Sequence, residues 1–197
     1  MSTPPSFSQE IVLVRHGETE WSRSGRHTGR TDIALTEAGV LGAQAISRYL
    51  AGRTFAEVLT SPLTRARETC RLAGLASGAL TDANLMEWDY GIYEGRTTPD
   101  IRRETPDWSV WISPITGGES LEQVAVRAGH VIERASATAG HVAIFAHGHI
   151  LRILAARWIG LPPVAGRALA LDTASVSVLG FERQTRVIRH WNVDVLH

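Results

Sequence analysis

The stretch Ile11-Val12-Leu13-Val14-Arg15-His16-Gly17 sets an aliphatic run against an arginine, an imidazole and a glycine. An unbroken apolar run of this length reads as a strand buried on both faces, since a half-buried strand would alternate. Such a strand delivers whatever follows it to the edge of its sheet. Here it delivers a cation and an imidazole together, and Gly17 removes a side chain so that backbone and ligand can approach. The pattern recurs downstream. His141-Val142-Ala143-Ile144-Phe145-Ala146 is a second aliphatic strand and runs into His147-Gly148-His149. A third, Glu57-Val58-Leu59-Thr60, stops at Ser61-Pro62, with Arg65 just beyond.

Helical patterns separate these strands. Thr36 N-caps a helix whose apolar face is Leu41, Ala45, Ile46, Tyr49 and Leu50, and Gly52 ends it. A second helix is predicted over Leu63–Ala76, a short one over Thr98–Glu104, and a long one over 120–138 behind a Ser120/Gln123 capping box. Another covers His149–Ile159, closed by Leu161-Pro162-Pro163. Residues 15–35 and 81–97 read as irregular, and Trp108, Trp111, Pro114 and Gly117-Gly118 mark a loop of turn formers with aromatic anchors. Ala174–Phe181 and Arg186–Trp191 read as a hairpin at the sheet edge. Strands alternating with helices predict an α/β chain, a three-layer α/β/α single domain over residues 1–197 with a mostly parallel central sheet and a loop or cap region at about 88–119. Ligands bind such sheets beyond the carboxyl ends of the strands, where all three polar signatures fall.

Composition narrows the chemistry. The formal net charge of +0 over 197 residues supplies no field that would draw nucleic acid or a membrane surface. All 20 basic residues are arginine, which excludes a Schiff-base lysine and a P-loop. An anion site in this chain is built from Arg forks, His or backbone N–H groups. Cys70 has no partner for an internal disulfide and reads as a small buried residue. The N-terminal MSTPPSFSQE is short and polar, so neither a signal peptide nor a membrane span is expected, and the cytoplasm is the default compartment.

His16 offers a neutral imidazole nucleophile at physiological pH. Arg15, Arg65 and His147 can converge on one small dianion, because the planar guanidinium matches phosphate oxygens. Phosphoryl transfer is mostly positioning and charge stabilisation, and a cage of cations around an attacking nitrogen provides both. Glu87, within Leu85-Met86-Glu87-Trp88-Asp89-Tyr90-Gly91, has apolar and aromatic neighbours expected to desolvate it, raise its pKa and suit it to protonate a leaving alkoxide. A second reading stays open on the residues alone: His147 and His149 with His16 and Asp89 form a ligand set for a metal-dependent hydrolase. Arg67 and Arg71 read as helix-surface charges, and Arg102-Arg103 as a solvated face. A phosphate-binding module without catalysis would lack the acid or the nucleophile, and both are present.

The blocks LVRHGET (13–19), TGRTDIALTEAG (28–39), SPLTRARET (61–69), EWDYGIYEG (87–95), GGES (117–120) and FAHGH (145–149), in this order, resemble the histidine phosphatase superfamily. That family includes the cofactor-dependent phosphoglycerate mutases and many small-molecule phosphatases. The resemblance implies a phosphoglycerate mutase-like fold and a phosphorylated His16. It implies a phosphate pocket of Arg15, Arg65 and His147 with Gly148 beside it, and Glu87 as proton donor and then activator of water. It implies neither metal nor cofactor. Mutases typically carry Asn where this chain has Ser22 and His149, and a long insertion after the Glu block that the short passage from Gly91 to Glu119 lacks. A metal-independent phosphomonoesterase is therefore expected, with a mutase as the alternative. EWDYGIYEG, TTPDI (97–101), PDWSVW (106–111) and FAHGHILR (145–152) together resemble a subgroup of sugar bisphosphatases and acid phosphatases. That implies small phosphorylated metabolites such as sedoheptulose bisphosphate as substrates. Candidate substrate contacts are then Arg26, Thr28, Gly29, Tyr90 and Glu94, with Arg26 for a distal phosphate. The family also implies a homodimer. The six tryptophans are expected to pack the cap rather than stack on substrate.

Overall fold

The computed structural model describes residues 8–196, so most of the polar N-terminal stretch lies outside the described residues. In chain order the elements are β1 (Ile11–Arg15), α1 (Glu20–Arg23), α2 (Glu37–Leu50), β2 (Glu57–Thr60), α3 (Thr64–Leu72), β3 (Leu80–Thr81), α4 (Thr98–Glu104), α5 (Leu121–Ala137), β4 (Val142–Ala146), α6 (Gly148–Trp158), β5 (Val176–Glu182) and β6 (Thr185–Val193). One sheet contains all six strands, in the order β3-β2-β4-β1-β5-β6. β1, β4, β2 and β3 pair in parallel, whereas β5 runs antiparallel to β1 and forms a hairpin with β6 at the edge.

The opening stretch explains the layering. None of Ile11, Val12, Leu13 and Val14 is more than 1% exposed, so both faces of β1 are covered. Ile11 and Leu13, with Leu59, Val142 and Ile144, pack against Val124, Val131, Ile150 and Leu154 of α5 and α6. Val12 and Val14, with Val58, Ala143 and Phe145, pack against Ile46, Leu50 and Cys70 of α2 and α3. This alternation makes three layers, and each fully buried aliphatic side chain contributes about 1.5–3 kcal/mol relative to exposure.

Caps set the helix starts. Thr36 accepts from the Gly39 N–H, and Ser120 and Gln123 form the expected capping box. Thr97 and Asp100 form another ahead of α4. α3 is shorter than its apolar pattern suggested, because the chain turns at Gly74, which has φ +80. The irregular stretch 15–35 contains the four-residue α1, and β3 is a two-residue strand; both are too short to show a period. Within 88–119, Trp88, Tyr90, Ile101, Trp108 and Val110 are buried and continue the α5/α6 side of the core. Arg102 and Arg103 are exposed, as is Arg71, which pairs with Glu68 on its own helix. Among the described residues no helix is long and apolar enough to cross a membrane.

Gly17 has a different reason from the one expected. A Cβ there would lie 2.3 Å from the Gly39 carbonyl oxygen, and a Cβ on Gly39 would lie 2.1 Å from that of Glu18. The bare backbone is required by the crossing of the β1 exit over the start of α2. Its N–H donates to Thr69 Oγ1 of α3.

Candidate active site

His16 leaves β1 with its backbone N–H bonded to the Ala146 carbonyl, and its side chain is 3% exposed. Its Nδ1 lies 2.7 Å from the carbonyl oxygen of Gly17. A carbonyl only accepts, so Nδ1 carries the proton and Nε2 keeps its lone pair. Burial, then the Arg65 and Arg15 charges, hold this imidazole well below its ordinary pKa. The ring is therefore neutral, with the Nε2 lone pair free.

Arg65, in the first turn of α3, is fully buried. Its Nε donates to His147 Nδ1 at 3.1 Å, and its two Nη atoms donate to the carbonyls of Thr31, Thr28 and Gly29 at 2.9, 3.2 and 2.9 Å. Because Arg65 can only donate, His147 Nδ1 accepts, and its protonated Nε2 donates to Ser61 Oγ at 2.8 Å. The His147 ring centroid is 5.1 Å from that of His16. Burial, followed by Arg65, depresses its pKa as well. Both Arg65 and His147 have no exposed surface and stand behind His16 rather than in the open cleft.

The cleft has a volume of about 240 Å³. Arg15, His16, Glu87, Tyr90 and Gly148 line its floor. Arg15 Nη1 donates to the Leu171 carbonyl, while its buried Nε has no partner among the described residues. Gly148 lies beside the guanidinium, and a Cβ there would meet Arg15 Cζ at 3.4 Å, an ordinary contact.

Glu87 is 4% exposed, as its neighbours suggested, yet its carboxylate does not sit in an apolar pocket. Oε2 accepts from the His149 N–H at 2.9 Å, and Oε1 from the Ile150 and Trp88 N–H groups at 3.0 and 2.9 Å. The expectation of simple desolvation is corrected: Glu87 caps the N-terminus of α6, whose own N-cap His147 supplies no side-chain bond. The acid thus meets the end of β4, because it caps the helix that follows His147.

Tyr90 Oη and His149 Nδ1 share a hydrogen bond of 2.7 Å. Burial, then Glu87 and Glu94, push the phenol well above its ordinary pKa, so it keeps its proton. Burial, then Arg152, holds His149 well below its ordinary pKa, so the ring is neutral. Thr28 and Arg26 line the cleft, and Arg26 is exposed. Gly29 and Glu94 do not line it. Glu94 Oε1 accepts from the Gly29 and Thr31 N–H groups at 2.8 and 3.0 Å, and a Cβ on Gly29 would lie 2.5 Å from the Trp88 carbonyl. Those two shape the loop whose carbonyls hold Arg65, so their assignment as substrate contacts is corrected by placement.

His27 and Arg152 are among the cleft residues that escaped the sequence reading. His27 packs its ring 4.9 Å from Tyr90 and 5.2 Å from Trp108, and burial lowers its pKa to about 4. Arg152 stacks 4.7 Å over the Trp111 ring and donates to the carbonyls of Gly166 and Arg167 at 3.0 Å each. Its signal was its spacing: it lies three residues after His149 and shares that face of α6.

The metal set is not assembled. Both ring nitrogens of His147 are engaged, Asp89 Oδ1 accepts from the Gly91 N–H away from the cleft, and no metal-holding cluster occurs among the described residues. Burial pushes the Cys70 thiol up to about 12, consistent with an inert packing residue.

The arrangement presents a neutral nucleophilic nitrogen, a shell of guanidinium groups and a carboxyl group. Comparison with known proteins agrees with that chemistry. The model of the histidine phosphatase superfamily (branch 1) matches residues 11–194. The chain is 41% identical over 183 residues to an acid phosphatase of Mycobacterium tuberculosis, across 91% of this chain and 90% of that protein. It is 33% identical over 190 residues to sedoheptulose 1,7-bisphosphatase of Saccharomyces cerevisiae, across 80% of this chain and 70% of that one. The solved structure of an open reading frame product of Mycobacterium tuberculosis superposes with a TM-score of 0.90 at 38% identity, covering 95% of this chain and 99% of that one. With its strand-end histidines, its arginines and nearly its whole length accounted for, the chain belongs to the histidine phosphatase superfamily.

Proposed function

We propose that this protein is a metal-independent phosphomonoesterase that hydrolyses small phosphorylated metabolites through a phosphohistidine on His16. The observation that carries the reading is the His16 tautomer. Gly17 holds the proton on Nδ1, and burial, reinforced by the Arg65 and Arg15 charges, keeps the ring neutral, so Nε2 is free to attack phosphorus. In the first step an N–P bond forms, the ester P–O bond breaks, and Glu87 in its acid form gives its proton to the leaving oxygen. In the second step Glu87 takes a proton from water, the new hydroxyl attacks phosphorus, and the N–P bond breaks. The unpartnered Nε of Arg15 is available to a phosphoryl oxygen, and Arg65 adds positive charge behind the ring.

The reading extends to sugar phosphates and bisphosphates. Arg26 and Arg152 line the same cleft as His16 and supply cationic groups for a second phosphate. Similarity to an acid phosphatase and a sugar bisphosphatase supports that class.

The test is hydrolysis of 4-nitrophenyl phosphate in excess EDTA, wild type beside His16→Ala. Turnover that survives the chelator and falls by at least about 10³-fold in the variant is expected. Loss of wild-type activity in EDTA, restored by a divalent metal, overturns the mechanism. Inactivity of both proteins toward aryl phosphate, with transfer between phosphoglycerates, would instead establish the mutase alternative.

A further inference from the structure

Glu87 comes from a stretch without helix or strand, and its carboxylate must still meet the first turn of α6 in register. The backbone around it is held by two side chains that do not line the cleft. Arg127 of α5 pairs with Glu119 through Nε–Oε1 and Nη2–Oε2 contacts of 2.7 and 2.9 Å. Its Nη1 donates to the carbonyls of Asn84 and Met86 at 2.7 and 2.9 Å, and its Nη2 reaches the Glu87 carbonyl at 3.5 Å. Every N–H of the guanidinium is therefore directed at Glu119 or at this segment. Glu119 grips the other side: Oε2 accepts from the Asp89 N–H at 3.0 Å, and its carbonyl accepts from the Trp88 indole at 2.7 Å. The two side chains are only 15% and 17% exposed. Glu87 sits between the two grips.

We propose that Arg127, through its bidentate pair with Glu119, is a positioning residue for the proton-transfer step, fixing the Glu87 backbone at the N-terminus of α6. The inference rests on the reading of Glu87 as proton donor. A planar fork is needed, because no ammonium group can hold the carboxylate face-on and three carbonyls at once. A shift of about 1 Å in a reacting group can cost about 10²-fold in rate. In kcat/KM, which reports the first step alone, the loss should appear only where a proton must be delivered to the leaving group. Phenolate from 4-nitrophenyl phosphate leaves without one, whereas the alkoxide of glycerol phosphate does not.

The experiment compares kcat/KM for 4-nitrophenyl phosphate and glycerol 2-phosphate in wild type, Glu87→Gln, Arg127→Met, Arg127→Lys, Glu119→Gln and the Glu87→Gln/Arg127→Met double variant. Inhibition by inorganic phosphate reports whether the phosphate pocket is intact. Arg127→Met and Arg127→Lys should each lose about 10²-fold on the alkyl ester and less than about 10-fold on the aryl ester, with phosphate inhibition unchanged. Glu119→Gln should show the same selectivity at about 10-fold, which keeps the test open where an Arg127 variant does not fold. The double variant should lose no more on the alkyl ester than Glu87→Gln alone. Equal losses on both esters, or losses that multiply in the double variant, overturn the positioning role while leaving Glu87 as the donor. Equal losses on both esters in Glu87→Gln itself remove the donor reading and this inference with it.

Discussion

The two sides of the cleft are built differently. On the nucleophile side, Arg15, His16 and His147 are the residues at which β1 and β4 end, and Arg65 lies in the first turn of α3. Their positions follow from parallel pairing, with Arg15 opposite Ala146 in the β1–β4 register. On the acid side, Glu87 and Tyr90 come from a stretch of 3₁₀ turns and loop, held by an Arg–Glu pair, an indole hydrogen bond and helix capping. Regular backbone positions one half, and specific side-chain contacts position the other. The first half therefore concentrates stability and function in the same residues. The second keeps them partly separable.

That contrast can be broken at Arg65. Arg65→Met leaves the carbonyls of Thr28, Gly29 and Thr31 and the His147 nitrogen without their buried donor. A loss of about 3 kcal/mol or more of stability is expected, together with a fall in kcat/KM of about 10³-fold. Chemical denaturation and steady-state kinetics measure the two, and full stability with lost activity would show that the nucleophile side is not structural in this sense.

A smaller effect concerns pH. His27 titrates near 4 in the folded chain against about 6.5 unfolded, so its folded pKa is depressed. Its contribution is present above the unfolded value and is lost as pH falls through the window from 6.5 towards 4. Stability should therefore drop on acidification there, and His27→Gln should make the slope shallower by about 1.4 kcal/mol per pH unit, the equivalent of one proton. Urea titrations across that window measure it, and an unchanged slope would mean that His27 protonates freely in the folded chain. The buried His16, His147 and His149, all depressed, act in the same direction.

The smallest change sharpens the acid side. Tyr90→Phe removes the hydroxyl bonded to His149 Nδ1 and leaves the ring packing in place. About 1 kcal/mol of stability should be lost, with kcat/KM reduced by less than about 10-fold, since His149 still donates its backbone N–H to Glu87. A fall of several hundredfold would place the hydroxyl in the chemistry itself.

The nucleophile side was legible because its code is short-range. A doubly buried run ending in Arg15-His16, a second ending in His147, and ligand sites beyond carboxyl ends need only the period of a strand and the logic of a parallel sheet. Glu87 was legible as a candidate from its neighbours and the family resemblance. Its surroundings were not, since apolar residues beside it in the chain said nothing of the helix N-terminus that it caps. Gly29 and Glu94 were misplaced for a related reason: a glycine and a carboxylate in a polar loop look alike whether they meet a ligand or brace an arginine. Arg152 and His27 were missed because facing a cleft is a property of the assembled walls.

The amino-acid order by itself determined the layers, the strand-end clustering of cations and imidazoles, and the restriction of every cationic side chain to Arg or His, because periodicity and composition act locally. Only the tertiary structure decided which nitrogen of His16 and of His147 carries the proton, what the Glu87 carboxylate meets, and that Arg127 and Glu119 hold it there. Those depend on groups brought together from distant parts of the chain, and a hydrogen bond has no meaning until both partners are in place.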